Sequence, residues 1–571
     1  RAAGPGIEDG WLLFLDGRQV DIGVLGTASL EQLPVDLVAI DSIVFTSAAA
    51  VVAGSFAGRG HVHVHTRRPQ NDGFSARGRL GFGSETGDPG PFVFLPGGRT
   101  NRDRYGHESA AEASVRKGAW YATAAYLASV HLPTDPLVLP RMQAAAALTP
   151  RIERIAPSIR LGRDGAAGGH HLVAGVSRID DWARIELAGL ELPSRVTHAH
   201  ASAAGAFALP RFELAYRAGS SRARLDSRPE ATAPRLDLTW RTTRASVEAR
   251  TPGGSRRAGI TFVHRDVTED GASPLGDGSD LGGYVTIDLQ PAATISQQVA
   301  AMLTGHRNGM EGGVVVRNAV ETRAGVVSLS ISGSRGRALS ERGFVDLLLR
   351  DGRWLEDAGL EATLPSGDAI VREGGIEAGW RRDAGRAGFT ATLFLRAVDG
   401  ALTAEHDLGW DPLFRAWRGP FTVRAASGRM IGASASARLA VSRVLELSAD
   451  WHVAGARGDT AFRDAAAAFP VHRALAGASW RPDVSFGLGG AIEFESGRRW
   501  PGYDRPDDAA GKLHPGVGAR ATASLTAWKT FLGGRLRGQA VARNLAGDRV
   551  ILHPEGSGSG LAFLFLLGGT L

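Results

Sequence analysis

Residues 58–69 read GRGHVHVHTRRP, with His61, His63 and His65 at alternate positions. On an extended segment successive side chains point to opposite faces, so the three imidazoles project from one side, about 6–7 Å from one to the next. Such a row can offer two or three nitrogens to zinc, with a carboxylate or further histidine supplied from elsewhere. It can equally be a strand that packs Val62 and Val64 inward while the imidazoles hydrogen-bond to polar walls or water. Alternate spacing is a weak metal signature on its own. The strand reading is adopted here, and no metal site is assigned.

Other constellations are thinner. DVTEDGASPLGD opens like a calcium loop with Asp266, Asp270 and Gly271, but Thr268 stands where a second carboxylate belongs and Asp277 where a bidentate Glu would be. Gly511 to Leu513, GKL, lacks the hydroxyl residue and the upstream glycine of a phosphate loop. There is no serine in a nucleophile elbow and no His-Glu helix motif. No catalytic residue, enzymatic activity or cofactor is expected.

The elements that carry these residues follow from composition and pattern. The 571 residues include no cysteine, which excludes disulfides and thiolate metal sites. Of 65 basic residues three are lysine, leaving 65 − 3 = 62 arginines, and the net charge is +6. The arginines are mixed with acids along the whole chain instead of clustering, so nucleic acid is not an expected partner. No apolar run reaches the ~18 residues of a membrane helix. Arg1 is preceded by no methionine or leader, so a processed or partial chain is expected.

From about residue 74 the chain alternates. Trp120, Ala122, Ala124, Tyr126, Ala128 and Val130 share one face, with Tyr121, Thr123, Ser129 and His131 on the other. Leu445, Leu447, Ala449, Trp451 and Val453 likewise oppose Glu446, Ser448, Asp450 and His452. Period two with glycine and proline between segments predicts an all-β chain. Long polar connections (from Ser84 and from Leu132) alternate with a tight one at RKGAW, the loop rule of outer-membrane barrels. The 498 residues from 74 to 571 accommodate about 22 strands, at about 23 residues per strand and connection. A barrel of that size has a lumen wide enough to need filling.

The first seventy residues resemble a filling. WLLFLDGRQV, with the turn Asp16-Gly17, then Leu33-Pro34, Ile40 and Ile43, then Gly54, Gly58, Gly60, Val62, Val64, Thr66, Arg67 and Pro69, resemble the second half of the plug domain of TonB-dependent outer-membrane receptors. The closing segment, with Asn544-Leu545 and the same-face residues Phe563, Phe565 and Leu567, resembles the last barrel strand of that family. Ser42 and Val44 stand where the family carries Arg and Glu, and Ser47-Ala48 where it carries Gly-Pro.

The resemblance implies a large transmembrane antiparallel β-barrel over residues 71–571, with a partial plug domain, residues 1–70, in its lumen. The plug's first half and the TonB box are not among these residues, so any partnership with TonB is expected to run through residues this chain lacks. It further implies a bacterial outer-membrane location, contact with outer-membrane lipid and lipopolysaccharide, and a small-molecule ligand. The function expected is import of a scarce nutrient such as a metal chelate, siderophore-like or cobalamin-like; the alternative is a passive pore or a structural part of an envelope assembly. Arg211, Arg217, Arg241, Arg535, Arg537 and Arg543 are expected to face the lumen, where they would favour an anionic ligand. Pairing with Glu213, Asp237 or plug carboxylates is the competing role. Arg99, Arg102, Arg104 and Tyr105 are candidates for touching ligand or lipopolysaccharide from a loop. Aromatic content, 7% with six tyrosines, is thin for two interfacial girdles.

Overall fold

A computed structural model describes residues 11–20 and 38–570 apart from 47–48, 59, 89–102, 132–151, 166–168, 186–189, 228–235, 270–272, 307–308, 338–361, 364–369, 407–408, 412–415, 419–420, 468, 500–515 and 548–557. Six short strands come first: β1 (Trp11–Leu15), β2 (Arg18–Gln19), β3 (Ile40–Thr46), β4 (Ala50–Val52), β5 (Ser55–Ala57) and β6 (Gly60–Thr66). From β7 (Gly73–Asp88), β8 (Asp103–Lys117) and β9 (Trp120–His131) onward, 22 antiparallel strands close into one barrel. The last of them, Gly558–Thr570, pairs back onto β7 with Phe565 opposite Phe82 and Leu567 opposite Leu80. Among the described residues one α-helix, α1 (Thr460–Ala467), interrupts the strands, and no described helix is long and apolar enough to cross a membrane.

Alternation divides the wall into two chemistries. On neighbouring strands Leu439 faces Leu447, Ala435 faces Trp451 and Ala433 faces Val453, all on the outside. The residues between them, Ser434 beside His452 and Ser436 beside Asp450, line the inside. Since the pleat has period two, one phase of apolar residues is enough to fix which face looks outward on each strand.

The two rims differ as well. Connections at one end are two to six residues long, for example 118–119, 164–169, 385–386 and 532–535. Outward aromatics gather near that end: Trp120, Phe207, Trp380, Phe389, Trp480 and Phe531 lie within a few residues of these turns. Trp380 donates its indole N–H to the Ala324 carbonyl in a short turn, at 3.1 Å, which suits a ring with one apolar body and one polar edge. Among the described residues these six outward aromatics mark that rim.

Inside, β2-β1-β6-β3 form a four-stranded sheet in that order, with β1 and β6 parallel and β3 and β6 antiparallel, beside a β4–β5 hairpin. Leu13, Leu15 and Val64 are buried on one face of the sheet.

Candidate functional site

The contact between this inner sheet and the barrel wall begins at the Asp16-Gly17 turn. Both residues have positive φ, 51° and 79°, the conformation a two-residue hairpin of type I′ demands and that Asp-Gly supplies. The turn aims the Asp16 carboxylate at the end of β6. Thr66 donates to it twice, from its backbone N at 2.9 Å and from Oγ1 at 2.7 Å. From the wall, Arg160 lies 3.3 Å from the same carboxylate, with both side chains buried, and also donates to Thr66 Oγ1. Gly17 leaves room for Arg217, whose Nε would stand 3.3 Å from a Cβ there.

The β4–β5 hairpin makes a second contact. Its tip, Ala53 and Gly54, again has positive φ, 50° and 79°. Thr261 of the wall donates to the Ala53 carbonyl at 3.2 Å, and a Cβ on Gly54 would stand 2.3 Å from Thr261 Oγ1. Val51 and Phe56 pack on Tyr284, Ala300 and Met302. The Tyr284 hydroxyl donates to Glu248 at 2.7 Å, so the buried ring keeps its polar end satisfied. Arg244 bonds both Gln19 and Ser55, tying β2 and β5 to one wall residue. Gly58 comes against Glu373, and Gly60, with φ 149°, opens β6.

The three histidines do share one face of β6. His63 stacks on Phe14 of β1, centroids 4.6 Å apart and 7° from parallel. His61 meets it edge-on at 5.0 Å and His65 lies beyond at 6.0 Å. Burial, with the neighbouring imidazoles and Arg217 adding to it, pulls the His63 imidazole down to about 4. Burial and Arg317 lower His61 in the same sense. Among the described residues no three His, Asp or Glu side chains are grouped to hold a metal. Asp266 and Asp277 are paired across two strands instead of sharing a calcium loop.

The inner sheet rests on one side of the wall. Inward residues there are buried, among them Thr123, Ser129, Arg160, Ser177, His200, Ser246 and Thr261. Across the lumen the inward residues Arg438, Ser448, Asp450, Arg473, Arg537 and Arg543 are exposed. Near the long-connection rim of this open side Glu495 is buried by arginines: Arg498 and Arg520 bond one oxygen, and Arg473 lies 3.4 Å from the other. At the same rim α1 folds inward. Asp459 caps it by accepting from the Phe462 N–H at 2.8 Å, and Phe462 is fully buried against the inward Val398, Ala426 and Met430.

The arginines expected from sequence separate on this geometry. Arg217 and Arg537 face the lumen near the short-turn rim, Arg537 lying 4.6 Å over the Trp528 ring. Arg543 faces the lumen at the other rim, closing strand Leu536–Arg543. Two corrections follow for Arg211 and Arg535: they lie in the connections 209–212 and 532–535, on the rim and not on the inner wall. A third concerns Arg241, which points outward. It is opposite Arg222 and on the face of Val247, while the buried Thr242, Ser246 and Glu248 take the inside. Trp240, an apolar residue that would be expected outward, is buried in the lumen in phase with Thr242, Ser246 and Glu248. Arg99 and Arg102 lie outside the described residues; Arg104 and Tyr105 lie on β8, their side chains outside what is described.

Sequence reasoning missed Arg160, Arg244, Thr261 and the Glu495 cluster. A signal for Arg160 exists: RIAPSIRL puts it on the face of Ser158, opposite Ile155, Ile159 and Leu161, a charged residue on the inner row.

No family model and no curated protein matches the chain. Solved structures do. The siderophore receptor PirA from Acinetobacter baumannii superimposes with TM-score 0.73 at 12% identity, over 100% of this chain and 92% of that one. A mutant ferric enterobactin receptor, PfeA, from Pseudomonas aeruginosa in complex with enterobactin gives 0.73 at 12%, over 100% and 94%. The copper transporter OprC gives 0.72 at 10%, over 98% and 90%. With a 22-strand barrel, a small sheet against its inner wall and these neighbours, the chain has the fold of TonB-dependent outer-membrane receptors.

Proposed function

We propose that this chain is an outer-membrane nutrient receptor: residues 1–70 serve as plug, residues 71–571 as barrel, and the cargo is a small anionic molecule of the metal-chelate class. The observation that carries the reading is the inner sheet with its neighbouring hairpin, held to the wall at Asp16–Arg160 and at Ala53–Thr261. A sheet fixed by specific buried contacts inside a wide barrel is a closure, and a closure with a polar open side beside it is suited to admitting a solute selectively. Neighbours described as siderophore and copper proteins support the nutrient class. Arg473, Arg498 and Arg520 at the long-connection rim, with Arg543, give the entrance a cationic lining that favours anions through field focusing and forked hydrogen bonds.

The test is titration of purified protein with ferric catecholate, ferric hydroxamate and cobalamin, followed by tryptophan fluorescence. Saturable binding of one of them, weakened at least tenfold in Arg473→Gln/Arg520→Gln, supports the reading. Absence of binding by all three chelates sinks the chelate class. A passive pore is the second reading, favoured by the exposed inner residues Ser448, Asp450 and Arg438.

A further inference from the structure

Several arginines of the inner wall are answered by a carboxylate. Arg79 bonds Glu108, Arg438 lies 2.7 Å from Glu446, Arg396 lies 3.9 Å from Glu377, and Arg473 and Arg520 share Glu495. Arg537 differs. Its side chain is exposed in the lumen, and among the described residues no carboxylate or carbonyl pairs with its guanidinium. What holds it is a ring: its Cζ stands 4.6 Å over the centroid of Trp528.

The stack is built by three adjacent strands. On Arg520–Phe531 the outward phase is taken by Leu525 and Phe531, both exposed, so Trp528 turns inward. Opposite it stands Gly487, where a Cβ would come 2.6 Å from the indole; glycine therefore lets the ring lie down against the wall. On the other side, Leu536–Arg543 places Gln539 opposite Trp528 and Arg537 one pair nearer the short turn. Stacking engages the plane of a guanidinium and leaves the N–H groups on its edge unused. Beyond Arg537 the next strand offers Gly568, and the one after it Arg79. Gly568 carries no side chain to cover the guanidinium, and Arg79 is occupied by Glu108. One uncompensated positive charge remains, oriented by a ring, with the Gln539 amide on the same face of its strand.

We infer that Trp528, Arg537 and Gln539 form a binding station for a carboxylate group of a solute in the lumen, separate from the arginines at the entrance. Two parallel N–H groups of a guanidinium match the two oxygens of a planar carboxylate. A singly charged group balances a single guanidinium, whereas a phosphate dianion needs a second cation that this stretch of wall does not supply. The station lies beside the connection 532–535 on the short-turn rim, while Arg473, Arg498 and Arg520 lie near the long-connection rim. A carboxylate-bearing solute thus meets a second anchor at the far end of the open side. An exposed guanidinium holds its partner weakly, and a weak hold suits a site that must release what it binds. The inference rests on the reading of the open side as a solute passage.

The experiment labels the tryptophan indoles of the full chain with nitrogen-15, in a non-ionic detergent, and titrates sodium benzoate against the Trp528 N–H signal, assigned by its loss in Trp528→Phe. Benzamide, the same ring without the charge, and inorganic phosphate are titrated in parallel. Benzoate should shift the signal saturably, and Arg537→Gln should weaken that binding by about tenfold. Arg537→Lys should recover part of it, since the charge returns without the fork, and Arg543→Gln should leave it unchanged. Gel mobility before and after boiling reports barrel closure in each variant. Benzoate binding of parent strength in Arg537→Gln overturns the inference, as does an equal loss in Arg543→Gln. Benzamide binding as tightly as benzoate would reduce the site to ring contact and overturn it, and phosphate binding as tightly would overturn the carboxylate class. Ferric chelate titration of the parent protein reports the entrance separately, so a failed chelate with an intact benzoate response strikes the nutrient reading alone, and the reverse strikes this station alone.

Discussion

Arg160 on the barrel wall and Asp16 at the tip of the inner sheet's hairpin are 3.3 Å apart and almost wholly buried. The pair is joined by Thr66, whose hydroxyl accepts from one and donates to the other. Removing one partner of a buried pair leaves the other charge without compensation, at a cost of about 3–5 kcal/mol. Asp16→Asn keeps the turn conformation and loses the charge. We expect faster hydrogen exchange over residues 60–66 and easier proteolysis of the sheet, with barrel melting unchanged. Protection equal to the parent protein would show that the pair does not hold the sheet.

Gly54, at the tip of the β4–β5 hairpin, lies close against the wall, where a Cβ would stand 2.3 Å from Thr261 Oγ1. Valine there would bring a side chain into Thr261 at a positive φ, so both space and conformation oppose it. Gly54→Val should expel the β4–β5 hairpin and expose Tyr284 and Met302, read as increased exchange in β4 and β5. Combining it with Thr261→Gly should restore part of the protection, since only the steric half is relieved.

Acid should loosen the sheet. Because the His63 imidazole sits near 4 in place and near 6.5 when free, the free state binds more protons between those values. Docking stability therefore falls as pH drops from about 6.5 to about 4 and levels off below; solvent screening limits the loss to about 1 kcal/mol. The groups facing His63 are His61, His65, Phe14 and Arg217. His63→Gln should flatten the pH dependence of proteolysis in that window. A profile as steep as the parent's would assign the effect to other groups.

The open side of the lumen can be mapped because the chain contains no cysteine. Single substitutions Ser448→Cys and Thr526→Cys should react quickly with a water-soluble maleimide, and Ser246→Cys and Thr123→Cys at least tenfold more slowly. In a planar bilayer the unliganded chain should conduct through that side with a slight anion preference. Silence together with uniform labelling would place the passage elsewhere.

Much of this was readable along the chain. Alternation at 120–131 and 445–453 fixed the faces that the barrel shows, and Asp16-Gly17 fixed a turn, because period and turn chemistry are local properties. Arg241 was misplaced because TWRTTRASV has polar residues in both phases, and an inward Trp240 imitates an outward one. Arg160 finding Asp16, and Arg244 finding Gln19, depend on where a separate sheet lands inside a closed wall. No period records that.

Closure of the wall onto β7 by residues 558–570 has a consequence for assembly. The two strands that meet there are separated by nearly the whole chain, so their pairing is among the least local contacts the protein makes, and contacts of that kind form slowly. Until the final strand arrives, the wall is an open sheet with β7 at one margin, offering unpaired N–H and C=O groups to any other extended chain. Synthesis must therefore reach residues 558–570 before either margin is protected. During that interval the unfinished protein depends on being held apart from its copies, and even a short deletion within residues 558–570 would be more damaging to it than one of equal length in a rim connection.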